Sequence, residues 1–348
     1  MKKLKFLAII GILGFTKNMY AVGGVELLTN VSAGSVSNPA MQATISSESV
    51  FYNPAAISFL EGEHNLYFGG YYADIDYRAE VGSSYLETTT PQFIPSFSYI
   101  YKKDKISYYM GMGMSGQGGV LKFDNNTSLI EDLDSTIIYG GGSFGVSYLY
   151  KENLSLSLGG KITYSKTTMD GTIAGGKIEN EKDSFGIAPE ISTYYKVNSK
   201  ISLSAKYLHK TKLDYGNLAS LLSLGSSFEL NENQRLNFGY NWILEENEYS
   251  DSYEYAISFE QRINPKLKIT LGYCYSDRGK NKDAIVDFTE LSSHQIGLGG
   301  TYKATENIDL TIGVGKIRYE SESVPIFNTK LKSKREEIVI STGVTMRL

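Results

Sequence analysis

From residue 64 to the C-terminus, apolar and polar side chains alternate with a period of two, the pattern of strands with one greasy and one polar face. Leu154, Leu156, Leu158, Ile162 and Tyr164 interleave with Ser155, Ser157, Gly159, Lys161 and Thr163. Leu236, Phe238, Tyr240 and Trp242 alternate with Arg235, Asn237, Gly239 and Asn241, and Ile308, Leu310, Ile312 and Val314 with Asp309, Thr311, Gly313 and Gly315. A short polar turn recurs between strands: Lys102-Lys103-Asp104, Lys151-Glu152-Asn153, Val197-Asn198-Ser199, Asn231-Glu232-Asn233, Asn264-Pro265-Lys266 and Thr305-Glu306-Asn307. The remaining connections are longer, and tight turns at one end with long loops at the other are characteristic of a transmembrane barrel.

The pattern predicts about fourteen strands, the first near 64–77, the third near 105–115 and the last near 334–348. Each strand with its connection takes about 20 residues, enough for the ~9–11 that a tilted strand places in a bilayer. A soluble sandwich alternates too, but its polar face meets water and carries many Lys and Glu. Here the polar face is mostly Ser, Gly, Thr and Asn, and aromatic residues such as Tyr99, Tyr101, Tyr148, Tyr150 and Tyr302 crowd the strand ends, as interfacial girdles do. The expected fold is all-β: a transmembrane antiparallel barrel over 64–348. Its last residue, Leu348, departs from the aromatic ending common in such barrels.

The N-terminus places this barrel outside the cytoplasm. Lys2, Lys3 and Lys5 precede an apolar stretch to Phe15, and Met19-Tyr20-Ala21 offers a cleavage site, so residues 1–21 read as an export signal. A short anchor helix is the alternative. No cysteine lies near residue 20, which excludes a lipoprotein.

Composition narrows the chemistry. The charges nearly balance, 34 basic against 38 acidic, so nothing marks a nucleic-acid partner. Cys274 is the single cysteine and reads as a lumen filler; His64, His209 and His294 are far apart in sequence. Neither a metal centre nor a catalytic arrangement follows, and no enzyme activity or cofactor is expected. The acidic residues Asp124, Glu131, Asp132 and Asp134 suggest a calcium loop only weakly, since the glycine and final glutamate of an EF-hand are missing.

Residues 22–63 do not alternate, and a segment of about 42 residues before the first strand should either plug the lumen or hang in the periplasm. It ends in Ser49-Val50-Phe51-Tyr52-Asn53-Pro54-Ala55-Ala56-Ile57. An export signal, a Gly/Ser-rich lead, this motif and a fourteen-strand barrel together resemble the FadL/TodX family of outer-membrane transporters of long-chain fatty acids and other hydrophobic compounds. The resemblance covers the whole chain in architecture, with its motif content in residues 43–60. It implies a small N-terminal hatch, Asn53, Pro54 and Ala55 as the hatch motif, and lateral release of ligand through a gap made by an inward kink in strand 3.

Gly111, Gly113, Gly116, Gly118 and Gly119 crowd the upper half of that strand; glycine can mark a bend or simply make room in a full lumen. Lys161, Glu190 and Lys206 share the lumen parity of strands 5, 6 and 7. Turn pairing brings them into a row with one surplus positive charge, either a headgroup site for a carboxylate or a self-satisfied row that keeps the lumen polar. The connections 168–182 and 213–218 are short, which puts an outer capture groove in doubt.

The reading is thus a bacterial outer-membrane, monomeric passive transporter of a hydrophobic small molecule, in contact with outer-membrane lipids and inserted by the barrel assembly machinery. A non-specific porin and a structural or adhesive surface barrel are the rivals.

Overall fold

The computed structural model describes residues 31–81, 84–114, 120–122, 130–173, 176–214, 217–245, 250–279, 291–326 and 329–348. The expected export signal, Gly116, Gly118, Gly119 and Asp124 lie outside these residues. The strands are β1 (His64–Val81), β2 (Ser84–Lys103), β3 (Ile106–Met114), β4 (Val120–Lys122), β5 (Ile130–Lys151), β6 (Leu154–Ile173), β7 (Gly176–Lys196) and β8 (Ile201–Leu208). They continue as β9 (Ser220–Asn231), β10 (Gln234–Leu244), β11 (Ser252–Asn264), β12 (Leu267–Asp277), β13 (Ser293–Lys303), β14 (Ile308–Tyr319), β15 (Glu322–Ile326) and β16 (Thr329–Arg347).

All neighbours pair antiparallel, and β1 pairs β16 from Asn65–Arg347 to Val81–Leu331, closing a barrel of 14 strands. β4 and β15 stand apart from this circuit, on β5 and β16 respectively. Neither shows in the alternation, because each is too short to hold a period.

The six expected turns join the strands as predicted, and their Asn residues have a local reason. Asn198 Oδ1 accepts from the amides of Lys200 and Ile201 at 2.8 and 2.9 Å, and Asn264 Oδ1 repeats this with Lys266 and Leu267 at 2.9 Å each. An Asx turn of this kind reverses the chain without help from the other strands.

The opposite end differs from the sequence expectation. The stretches read as loops at 78–92 and 168–182 are mostly continuous ladder, and Glu131 and Asp134 belong to β5 instead of an acidic loop. Strands of 18 to 22 residues in β1, β2 and β5–β7 rise about 45–55 Å at the usual tilt, against an apolar band of about 25 Å. β8, with 8 residues, rises only about 20 Å on the same reckoning, short of that band, so the rim is high on one side and low on the other.

The outer face is apolar where lipid would meet it: Leu158, Phe185, Ile312 and Phe93 are all more than 60% exposed. Exposed tyrosines flank that band on both sides, Tyr108, Tyr148, Tyr150 and Tyr302 toward the turns and Tyr72, Tyr164, Tyr255 and Tyr273 toward the other end. The three histidines join these girdles. His64, His209 and His294 each share a hydrogen bond through Nδ1 with a tyrosine hydroxyl, of Tyr99, Tyr207 and Tyr273, at 2.9, 3.1 and 2.8 Å. Their positions suit polar tips at headgroup height.

Candidate functional site

Residues 31–60 pack against the inward faces of the strands, and small side chains make this possible. Gly225, Gly239, Gly272, Gly297, Gly313 and Gly343 form a trough across β9–β16, in which residues 33–43 lie. At Gly297 a Cβ would collide with the Val36 carbonyl oxygen. Barrel side chains then take up the exposed backbone of this segment: Ser341 Oγ donates to Ala33 O at 2.9 Å, Gln295 Nε2 to Ser35 O at 3.2 Å, and Ser204 Oγ to Gln42 O at 2.6 Å.

The amides of residues 31–34 are held by side-chain oxygens alone. Tyr52 Oη accepts from Val31 and Ser32 at 3.3 and 3.0 Å, Tyr67 Oη from Ala33 at 2.7 Å, and Glu48 Oε2 from Gly34 at 2.9 Å. Glu48 also accepts from the Ser32 hydroxyl. Burial pushes the Glu48 carboxyl above its ordinary range, against the opposing pull of Ser32 and Gly34. A carboxyl with a higher pKa when docked binds its proton more tightly in that state, so docking weakens as pH rises above about 4.5, the ordinary value, and strengthens on acidification. The segment should accordingly be more accessible to protease at pH 8 than at pH 5, and Glu48→Gln should flatten that difference in a limited-digestion series.

The Asn53-Pro54-Ala55 motif faces β5–β7. Asn53 is extended, with φ −157° and ψ 92°, as a residue before proline prefers. Its Oδ1 caps the turn by accepting from Ala55 N at 3.1 Å, and its Nδ2 donates to Thr193 O on β7 at 3.0 Å. Ser192 Oγ also accepts from Ala55 N at 3.0 Å, and Ser155 Oγ donates to Ala55 O at 2.6 Å. Ser147 Oγ of β5 also donates to Ala55 O at 3.3 Å, so the turn is held to the wall of β5–β7 by an amide and three serines.

Gly111 and Gly113 occupy a regular ladder, opposite Ser98 and Ser96 on β2 and Ser143 and Gly141 on β5. Their close approach is to residues 31–51: a Cβ on Gly111 would lie 2.7 Å from Val50 Cγ1, and one on Gly113 3.0 Å from Val31 Cγ1. The β3 ladder is described as far as Met114, opposite Gly140.

Just inside this point lies a small cavity, lined by Phe51, Ser143, Lys161, Glu190, Lys206 and Leu208 among others, with about 20 Å³ open to water centres, room for roughly one water. The three charged residues of the sequence row thus meet at one site. The register differs slightly from the expected one: Glu190 stands opposite Leu208, and Lys206 opposite Ser192. Lys206 Nζ reaches Glu190 Oε2 at 3.5 Å and donates to Phe51 O at 2.7 Å. Glu190 and Lys161 are buried, at 2% and 8% exposure; Glu190 Oε1 has no hydrogen-bond partner, and among the described residues no hydrogen bond or ion pair reaches Lys161.

Beside this polar pair is an inward-facing apolar patch that the sequence reading missed. Ala188, Leu208, Ala219, Leu221 and Ile243 form one buried cluster on β7–β10 and the chain just before β9; Lys161 pairs with Ala188 and Glu190 with Leu208 in the ladder. Its only sequence signal was a break in parity, apolar residues standing where Ser, Thr or Gly occupy the lumen face elsewhere. Among the described residues no group of three or more His, Cys, Asp or Glu is arranged to hold a metal ion.

A closed antiparallel barrel with apolar outer belt, tyrosine girdles and an internally packed N-terminal segment defines a transmembrane β-barrel. Its fold is that of the FadL/TodX hydrophobic-compound channels. The chain is similar to a Pseudomonas aeruginosa FadL homologue, at 12% identity over 92% of this chain and 99% of that one, with a TM-score of 0.77. The Pseudomonas putida toluene transporter TodX matches at 14% identity over 94% and 99% of the two chains, TM-score 0.68. The Ralstonia pickettii toluene transporter TbuX matches at 12% identity over 94% and 99%, TM-score 0.66. Residues 224–325 match the family model described as "Putative MetA-pathway of phenol degradation". No curated protein matches the chain.

Proposed function

We propose that the protein is an outer-membrane passive transporter of small hydrophobic molecules. Residues 22–63 act as its hatch after removal of residues 1–21, and the exit is lateral, near β3. The observation that carries this reading is the coincidence of three features: a lumen filled by residues 31–60, an inward apolar patch beside a charged pair, and a small cavity beside Gly113 of β3. A filled lumen argues against a free aqueous pore, and an apolar patch on the inner wall suits a hydrophobic body better than an ion. Transport would run down a concentration gradient, with a membrane-dissolved product leaving sideways into lipid. TodX and TbuX, described as toluene transporters, suggest compounds the size of a single ring alongside fatty acids. The barrel is proposed to act as a monomer, inserted by the barrel assembly machinery.

Purified protein reconstituted into liposomes should speed the entry of toluene and of a medium-chain fatty acid, while planar bilayers show no large steady conductance. Large conductance without accelerated uptake would establish the porin alternative instead.

A further inference from the structure

We infer that the wall has a lateral portal between β7 and β8, above Pro189, through which a hydrophobic molecule passes between the lumen and the outer leaflet. The inference rests on the transport reading above and gives it a second opening, distinct from the one near β3.

The β7–β8 ladder runs from Lys196–Ser202 up to Glu190–Leu208 and stops there, although the two chains continue side by side. Asp214 N donates to Ser184 Oγ at 2.8 Å, and a Cβ on Gly186 would meet the Lys212 carbonyl oxygen. The interruption begins at Pro189. His209 N donates to Pro189 O at 3.0 Å. A hydrogen-bonded antiparallel pair returns a second bond from the opposite amide, and proline has none to give. Thr211, two residues further on, exchanges both of its backbone bonds with Leu218 instead, at 3.0 and 2.9 Å. Among the described residues no backbone hydrogen bond joins residues 184–188 to 210–214.

This seam lies at lipid depth. Phe185 and Ile187 of the unpaired stretch are 64% and 59% exposed on the apolar outer face, and Phe185 stands opposite Tyr164 of the girdle away from the tight turns. Tight turns face the periplasm in such barrels, so the seam opens toward the outer leaflet. Unpaired backbone is costly at this depth and persists where it is covered by protein or lines a passage. Both sides of the seam are greasy. Ala188 and Leu208, which flank it on the inside, belong to the buried cluster with Leu221 and Ile243. A molecule moving between Ile187 and Leu208 therefore stays on apolar surface.

The lower end of the seam is where the N-terminal segment grips the wall. Lys206 of β8 reaches Glu190 of β7 at 3.5 Å and holds the Phe51 carbonyl, while Asn53 Nδ2 holds Thr193 O of β7. Displacement of residues 51–53 thus bears directly on the two strands that part.

Ser184→Cys with Asp214→Cys, in a Cys274→Ser background, places a disulfide across the seam. In liposomes the oxidised protein should speed toluene entry about tenfold less than the same protein after reduction, as expected when a gating step is blocked. Tyr195→Cys with Leu203→Cys, partners in the intact ladder, should show no such difference. Pro189→Val supplies the missing amide and should also slow uptake, without any cross-link. Equal uptake by the oxidised and reduced Ser184→Cys/Asp214→Cys protein, with the cross-link verified by mass spectrometry, overturns the inference and leaves transport by another opening intact. If the disulfide does not form, undiminished uptake by Pro189→Val overturns it in the same way. Failure of the unaltered protein to speed toluene entry at all would bring down the transport reading, and this inference with it.

Discussion

Gly297→Val should unseat the N-terminal segment from the lumen and turn a closed barrel into an ion-conducting one. Gly297 faces inward on β13, where the Val36 carbonyl oxygen occupies the volume a Cβ would need. Relief cannot come from a flexible side-chain tip, because the obstructing atom is backbone. Neighbouring Gly272, whose Cβ would meet the Ser37 carbonyl, and Gly299, where a Cβ would lie 2.6 Å from Ser37 Oγ, close the same passage. Overpacking a well-filled interior costs about 1–3 kcal/mol even where side chains can move. With backbone as the obstacle the segment is expected to lift away, giving up the Gln295 bonds to Ser35 and Val36. The barrel has its own closed ladder and should survive. Single-channel recording should show large, long-lived openings in Gly297→Val and none in Gly300→Ala, a change on the outward face of the same strand where the nearest atom is 3.2 Å away.

Lys206→Met should be the most damaging change at the charged site. It removes the cation that pairs with Glu190 and leaves only Lys161 in the same cavity; deleting one member of a buried pair costs up to about 3–5 kcal/mol. It also strips the Phe51 carbonyl of its donor. The expected result is a loss of about that size in urea-unfolding stability, with frequent brief channel openings as residues 49–52 loosen. Lys161→Met, Glu190→Gln and Lys206→Met combined should recover a large part of the stability, because no charge then remains in the cavity, but not the quiet baseline, because the Phe51 carbonyl is still unheld. A triple variant as unstable as the single one would show that the charges themselves contribute little.

The barrel was legible in the sequence because one rule, alternation, acts on every strand separately. Leu158 and Ile312 point to lipid, Ser157 and Gly313 inward, and no distant residue changes that parity. The charged row was legible to within two residues for the same reason: the Asn198 turn fixes the register of β7 and β8 locally. What the alternation could not display are relations across the lumen. Lys206 and Phe51 are 155 residues apart, and nothing in either neighbourhood announces the other. The glycines of β9–β16 likewise read as general lumen crowding, whereas their positions trace the path of residues 33–43. The upper hairpins read as loops because, above the membrane, strands such as Thr168–Ile173 have no lipid to enforce a greasy face. The pairing of β6 with β7 persists there through the backbone ladder, with the Lys166–Glu181 ion pair across it at 2.6 Å.

The trough also sets an order of assembly. Residues 33–43 come first in the chain, yet the surface that receives them is spread over its last eight strands; Ala33 and Ser341 are separated by 308 positions. Contacts of such sequence separation form late, since the whole intervening chain must be ordered first. The receiving surface is complete only once β16 has paired with β1, and β1 is the strand to which the segment is directly joined. Sealing the wall and seating its contents therefore become a single event. A chain whose final strand is delayed or truncated would have nowhere to lodge its own N-terminal residues, leaving them exposed to periplasmic proteases as a marker of unfinished barrels.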